Sequence, residues 1–253
     1  MKIDFFGQTD VGKKREKNED SLLVNGSIGL FMVADGMGGH LGGECASRIA
    51  IKTVGETVQK LFEDPESTLG KDIGFDRSDP GEFLRYSLRL ASHNIYEEAK
   101  NNPALRGMGT TSVVLLVRDH KGYIANVGDS RGYLVHGADI KQLTTDHSLV
   151  AEQLRAGFIT PEEIKHHKFK NIITRSVGFQ PDVEIDILVR DLEAGDRFVL
   201  CSDGLSNLVE DPEISKFVSK NDPKTACQKL INLANKKGGD DNVTVVVVSI
   251  EGD

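Results

Sequence analysis

The stretch Phe31-Met-Val-Ala-Asp-Gly-Met-Gly-Gly-His40 constrains this chain more than any other. Residues 28–34 form an apolar run with the length of a buried strand. The run ends on Asp35, and Gly36, Gly38 and Gly39 follow at once. A core strand thus delivers a carboxylate to a place where glycine lets the main chain turn sharply and approach a ligand. The pattern recurs. Residues 197–202 run into Asp203-Gly204, and the apolar run 243–250 is preceded by Gly238-Gly239-Asp240-Asp241-Asn242. Strands that each carry Asp beside Gly at one end predict one shared carboxylate cluster. Carboxylates alone repel one another, so the cluster implies bound hard cations such as Mg²⁺ or Mn²⁺.

The surrounding pattern predicts the frame that holds these strands. Residues 2–6 and 21–24 read as strands, with Thr9 to Gly12 as a turn and Asn25-Gly26 as a hairpin turn. Ala46, Ala50, Val54, Val58 and Leu61 mark one face of a helix over 43–62. Leu84, Leu88, Ala91 and Ile95 do the same over 82–101. Two long helices between strands imply an antiparallel helix pair packed on a sheet. Residues 111–117, 123–127 and 132–135 read as successive strands whose short connections make them antiparallel. A helix is expected at 148–156, strands at 183–189 and 197–202, short helices at 212–219 and 223–236, and a last strand at 243–250. The expectation is one domain over 1–253. Its fold is an α/β (α+β) sandwich: two packed antiparallel β-sheets flanked by pairs of antiparallel helices. Residues 148–178 form a small mobile segment, and 64–80, broken by Pro65, Gly70, Gly74 and Pro80, form a loop.

Composition removes several function classes. The net charge is −8, and no basic stripe exists beyond Lys13-Lys14-Arg15-Glu16-Lys17, which argues against nucleic acid as a partner. No apolar run approaches the ~20 residues that span a bilayer, and the N-terminus lacks a signal-peptide pattern. The expectation is a cytoplasmic protein, or a soluble part of something larger. Cys45, Cys201 and Cys227 are odd in number and far apart in sequence, so neither a disulfide framework nor a cysteine zinc site is indicated. Gly36-Met-Gly38-Gly39-His40-Leu41-Gly42 carries Leu41 where a dinucleotide fingerprint needs its third glycine, and no phosphate-loop or EF-hand pattern is present. His166-His167 reads as a solvated pair rather than a metal site.

Eight segments, taken together, are specific. They are Thr9 to Asp20, Val33-Ala-Asp-Gly-Met-Gly-Gly-His40, Gly109-Thr-Thr111, Asn126-Val-Gly-Asp-Ser-Arg131, Leu143-Thr-Thr-Asp-His147, Thr174-Arg-Ser-Val-Gly178, Cys201-Ser-Asp-Gly-Leu205 and Asp240-Asp-Asn-Val-Thr244. In this order the chain resembles the metal-dependent protein serine/threonine phosphatases of the protein phosphatase 2C or PPM type, in their compact bacterial form. The resemblance covers nearly the whole chain apart from the 64–80 loop.

The resemblance implies a Mn²⁺- or Mg²⁺-dependent phosphatase acting on phosphorylated proteins, opposing a cognate serine/threonine kinase, as a monomer. It implies that Asp35, the Gly36 carbonyl, Asp203 and Asp241 hold two ions, with Asp20 assisting through water. Asp129 would join Asp203 at a third, weaker site. Arg15 would bind the phosphate, and a water bridging the two core ions would attack phosphorus in line. Residues 148–178 would be the family's flap. Asp146 and His147 match a structural motif and receive no catalytic role. Eukaryotic members carry a histidine acid directly after the central Asp-Gly, where this chain has Met37. The proton donor is then either His40 or a metal-bound water. A silent binding module on this fold, or a phosphatase of other phosphoesters, is the alternative.

Overall fold

The computed structural model describes residues 1–38, 41–64, 76, 78–164 and 167–252. The chain runs β1 (Lys2–Asp10), β2 (Asp20–Asn25), β3 (Leu30–Met37), α1 (Gly42–Glu63) and α2 (Pro80–Asn101). After a short 3₁₀ turn come β4 (Gly109–Thr110), β5 (Ser112–Arg118), β6 (Lys121–Val127), β7 (Arg131–His136) and β8 (Asp139–Gln142). Next are α3 (Leu149–Arg155), α4 (Pro161–Ile164), β9 (Asp186–Asp191) and β10 (Asp196–Cys201). The chain closes with α5 (Asp203–Ser206), α6 (Asp211–Lys220), α7 (Pro223–Lys236) and β11 (Val243–Glu251).

Two antiparallel sheets form the middle of a sandwich. One has the order β1-β11-β10-β7-β8, the other β2-β3-β5-β6-β9, with β4 added at the end of β3. The expected sandwich is present, and its layers follow from side-chain alternation. Along β11, Val243, Val245 and Val247 pack with α6 and α7, while Val246, Val248 and Ile250 pack between the sheets. Phe31, Val113, Leu115, Phe198 and Leu200 complete that inter-sheet layer. On the other outer face, Ala46, Ala50, Val54, Val58, Leu84, Leu88, Ala91 and Ile95 all lie in the core under α1 and α2, as their spacing predicts. Helix α2 starts on Pro80, with the Asp79 carboxylate accepting from the Gly81 N–H at 2.8 Å.

Several local expectations differ from the structure. The strand expected at 183–189 runs over Asp186–Asp191, the stretch that pairs with β6. β1 continues through Thr9 and Asp10, where a turn was expected, because β11 pairs with it as far as Asp10↔Val243. β3 does not stop before Asp35. It runs to Met37 because Gly36 and Met37 pair with Thr110 and Gly109. β8 and the one-turn helix α5 carry no periodic signal, being four residues each. The largest difference lies between β6 and β7. Their connection is short, yet they are not neighbours: β6 pairs with β5 and β9, β7 with β10 and β8. Residues 128–130 carry the chain from one sheet to the other. Gly128 makes this possible at φ +101°, and a Cβ there would meet the Thr111 side chain at 2.7 Å. The expected 64–80 loop lies mostly outside the described residues.

The inter-sheet layer sets the spacing of everything mounted on its rim. Leu115→Ala removes a fully buried side chain from its centre and should cost ~2–5 kcal/mol. A denaturant melt should show a lowered midpoint with an unchanged slope. A midpoint equal to wild type would mean that the sheets do not depend on this layer.

Candidate active site

The carboxylates predicted to meet do meet, at one end of the sandwich, and they come from both sheets. Asp20 begins β2 and lies directly across from Asp35 on β3. Asp203 follows β10 and starts α5, and Asp241 precedes β11. Asp129 sits in the turn that crosses between sheets. Asp35 feels the charges of Asp20, Asp203, Asp129 and Asp241. Asp240 points elsewhere and pairs with Lys14 at 2.6 Å, so Asp241 is the member of the pair that joins the cluster.

Burial and mutual repulsion dominate the chemistry. Desolvation pushes the Asp20 carboxyl up to about 7, against hydrogen bonds from Thr244 and Ser202 that favour its charge. Desolvation and then the charge of Asp203 push Asp129 up to about 7. Asp35 rises well above the usual carboxylate range from burial first and then from its four neighbours. Asp203 is raised by burial and by Asp241, while hydrogen bonds to Asp35 and from Asn207 act the other way. The Asn207 amide donates to Asp203 Oδ2 at 3.0 Å.

Donors from the opposite sheet hold Asp20. Its Oδ2 accepts from Ser202 Oγ at 2.8 Å and Thr244 Oγ1 at 2.6 Å. Its Oδ1 is buried with no hydrogen-bond partner. A buried carboxylate oxygen left bare this way is costly unless a cation or an ordered water faces it. Among the described residues, no three Asp, Glu, His or Cys side chains close around a single point. A cation here would therefore draw on main-chain oxygen and water as well, a shell that Mg²⁺ accepts readily. The residues fit such ions. At Gly36 the backbone leaves no room for a side chain, since a Cβ there would strike the Gly43 and Glu19 carbonyls at 2.1 and 2.5 Å.

Arg15 stands at the rim. Its Nη2 donates to Asp241 Oδ2 at 2.7 Å, and both side chains are partly exposed. Asn242 holds the loop that carries Arg15. Its amide donates to the Val11 and Lys17 carbonyls, each at 2.9 Å, and its Oδ1 accepts from the Glu19 N–H at 2.8 Å. A cleft of 690 Å³ leads from Asp129 and Asp203 along α3, with Val150, Leu154, Ile164 and Lys170 in its walls. Met37 is in β3, paired with Gly109. His40 lies outside the described residues. Residue-by-residue reading missed Ser202, Thr244, Asn207 and Asn242. Each is one to four positions from a predicted aspartate, and that adjacency was the available signal.

Anionic side chains gathered in this way suit the binding of cations among them. Cations beside a guanidinium at the rim suit the handling of a phosphoryl group. The chain belongs to the protein phosphatase 2C family, whose family model matches residues 11–241. It is 38% identical over 248 residues to protein phosphatase PhpP of Streptococcus pneumoniae, covering 96% of this chain and 95% of that protein. It resembles the structure of the serine/threonine phosphatase Stp1 from Staphylococcus aureus with a TM-score of 0.86 at 34% identity, over 100% of this chain and 96% of that one. The catalytic domain of the serine/threonine protein phosphatase PstP, solved in complex with two manganese ions, matches with a TM-score of 0.84 at 33% identity over 99% of each chain.

The raised carboxyls make a signed prediction for the metal-free protein. Asp20 and Asp129 titrate near 7 when folded and near ~3.9 when unfolded. Their contribution to stability is complete below the unfolded value and is lost as pH rises through the folded one. Melting temperature in chelator should therefore fall as pH is raised from about 5 to about 8. Asp129→Asn should flatten part of that fall. A melting temperature that is level or rises over this range would contradict the buried, mutually repelling cluster.

Proposed function

We propose that this chain is a Mn²⁺- or Mg²⁺-dependent phosphatase that hydrolyses phosphoserine and phosphothreonine monoesters on proteins. The observation that carries this reading is the meeting of five aspartates from both sheets beside Arg15, in a chain of this family. Asp35, the Gly36 carbonyl, Asp203 and Asp241 would hold two ions, with Asp20 acting through its free Oδ1 on bound water. Asp129 and Asp203 would share a third, weaker site. Such cations would supply Lewis acidity there, activating water and neutralising charge on the phosphoryl oxygens.

The protein's own residues then have distinct tasks. Arg15 presents a planar guanidinium that can bind two phosphoryl oxygens at once, which fixes their orientation. To do so it exchanges its present bond to Asp241 for substrate. Asn242 holds the Arg15 loop at the start of β11, and Asn207 orients Asp203. Ser202 and Thr244 keep Asp20 Oδ2 occupied, which leaves Oδ1 alone without a partner. The 690 Å³ cleft beside Asp129 and Asp203 accepts the protein segment that carries the phosphoryl group. Residues 148–178, which wall that cleft through α3 and α4, form a flap that governs substrate choice. Of the chain's own side chains, His40 would be the one to protonate the leaving alcohol; otherwise that proton would come from water held at the site. The chain acts as one catalytic domain, a monomer in the cytoplasm, against a serine/threonine kinase. No helix among the described residues is long and apolar enough to cross a membrane.

Hydrolysis of a phosphothreonine peptide, of a phosphotyrosine peptide and of p-nitrophenyl phosphate, each with Mn²⁺ and with excess chelator, tests the proposal. Turnover of phosphothreonine peptide with Mn²⁺ only is the expected result. No turnover of any of the three would leave a silent module, and activity that survives exhaustive chelation would end the two-ion reading.

Asp203→Asn should lower kcat by at least about a hundredfold, more than the loss of a residue that merely supports a metal ligand. Its metal-free melting temperature near pH 7.5 should not fall, since one repelling charge is gone. Arg15→Ala should lower kcat/KM on a phosphothreonine peptide roughly tenfold to a hundredfold, the equivalent of one charged hydrogen bond. Arg15→Lys should recover only part of that loss. A kcat/KM within twofold of wild type for Arg15→Ala would return Arg15 to the role of a surface charge.

A further inference from the structure

His147 is 4% exposed and bonded twice to Gly128, the residue before Asp129. Its main-chain N–H donates to the Gly128 carbonyl at 2.9 Å. The Gly128 N–H donates to its Nδ1 at 3.0 Å. A ring nitrogen that accepts carries no proton, so the proton of this imidazole is on Nε2. Nε2–H then donates to Asp186 Oδ2 at 3.1 Å. Arg175 Nη1 lies 3.2 Å from the same Nε2, but two donors do not bond each other. Its hydrogen goes to Asp186 Oδ1 at 2.8 Å, and Arg175 Nη2 also pairs with Glu184 at 3.0 Å.

The main chain extends these links. The Thr174 N–H donates to the His147 carbonyl at 2.9 Å, and Ser148 bridges to Ile173. His147 is therefore tied on one side to the crossing between sheets and on the other to residues 173–175, where the 148–178 segment returns. The far side of the crossing is secured separately. Ser130 Oγ lies 2.7 Å from Thr111 Oγ1, which accepts from the Asp35 N–H at 3.0 Å. Asp129 stands between these two anchors.

We propose that His147, held as its Nε2–H tautomer by Asp186, is a positioning residue. It fixes Gly128, and through it the carboxylate of Asp129, and it links that carboxylate to the base of the 148–178 segment. The kinetic part of the test rests on the phosphatase reading; the structural part does not.

Two substitutions separate the acceptor from the bulk of the ring. His147→Asn keeps an acceptor close to the place of Nδ1, and His147→Leu keeps volume without one. The first measurement is amide hydrogen exchange at Gly128 in the metal-free full chain. Leu should speed exchange roughly tenfold to a hundredfold, and Asn should stay within about fivefold of wild type. Nitrogen chemical shifts of the wild-type ring should show Nδ1 bare and Nε2 protonated. The second measurement is steady-state kinetics on a phosphothreonine peptide at saturating Mn²⁺. Leu should lower kcat about tenfold or more with KM little changed, and Asn should recover most of it.

If His147→Leu does not fold, Asp186→Ala takes its place. That variant frees the ring and should speed Gly128 exchange by about tenfold. Gly128 exchange unchanged in Leu or in Asp186→Ala, a ring protonated on Nδ1, or Asn no better than Leu would each overturn the proposal. Absence of all phosphatase activity in the wild type would sink the functional reading, while the exchange and nitrogen data would still decide the role of His147.

Discussion

Everything at the working end of this protein depends on holding like charges together out of water. Two carboxylates ~4 Å apart repel by roughly 4 kcal/mol at the screening typical near protein groups. That is a large part of the ~5–15 kcal/mol that keeps a domain folded. A single strand or loop carrying such groups would simply splay. Here the aspartates are mounted on two different sheets, and the layer of Phe31, Val113, Leu115, Phe198, Val246 and Val248 clamps the sheets together. The core supplies the restraint, and the cluster carries the strain.

Asp20 shows how the restraint is made local. It belongs to the β2 side of the sandwich, yet both hydroxyls that hold its Oδ2 come from the β10 and β11 side. Thr244 gives its one hydroxyl hydrogen to Asp20, so Thr9 Oγ1, 2.7 Å away, is the donor to Thr244, and Thr9 in turn accepts from Asn18 at 2.8 Å. A chain of hydroxyls thus sews the two sheets together at the cluster itself. One carboxylate oxygen is satisfied and the other is left bare. Asn242 works in the same manner on the neighbouring loop, spending its whole amide on main-chain groups at residues 11, 17 and 19. These contacts bring Arg15 within 2.7 Å of Asp241, although the two are distant in sequence.

The crossing at residues 128–130 is the second point where fold and function coincide. Strand alternation alone would have run β7 beside β6. A glycine at positive φ, a pair of hydroxyls and one buried imidazole send the chain to the facing sheet instead. The reward is that Asp129 lies between the sheets, beside Asp203, rather than on the outside of a hairpin.

Much of this was legible from residues alone. The helical faces of α1 and α2, the apolar runs of β3, β10 and β11, and the Asp-Gly punctuation at their ends are local patterns. Such patterns follow from side-chain period and from glycine's freedom, and they foretold both the sandwich and the carboxylate cluster. Sequence alone determined which residues are available to bind hard cations and that they lie at strand ends. Only the tertiary structure decided which sheet each strand joined, that Asp240 is drawn away by Lys14, and that Ser202, Thr244, Asn242 and His147 hold the cluster. The physical reason is that pairing partners, burial and hydrogen-bond donors brought from up to 231 positions away are properties of the packed chain. No periodicity along the sequence encodes them.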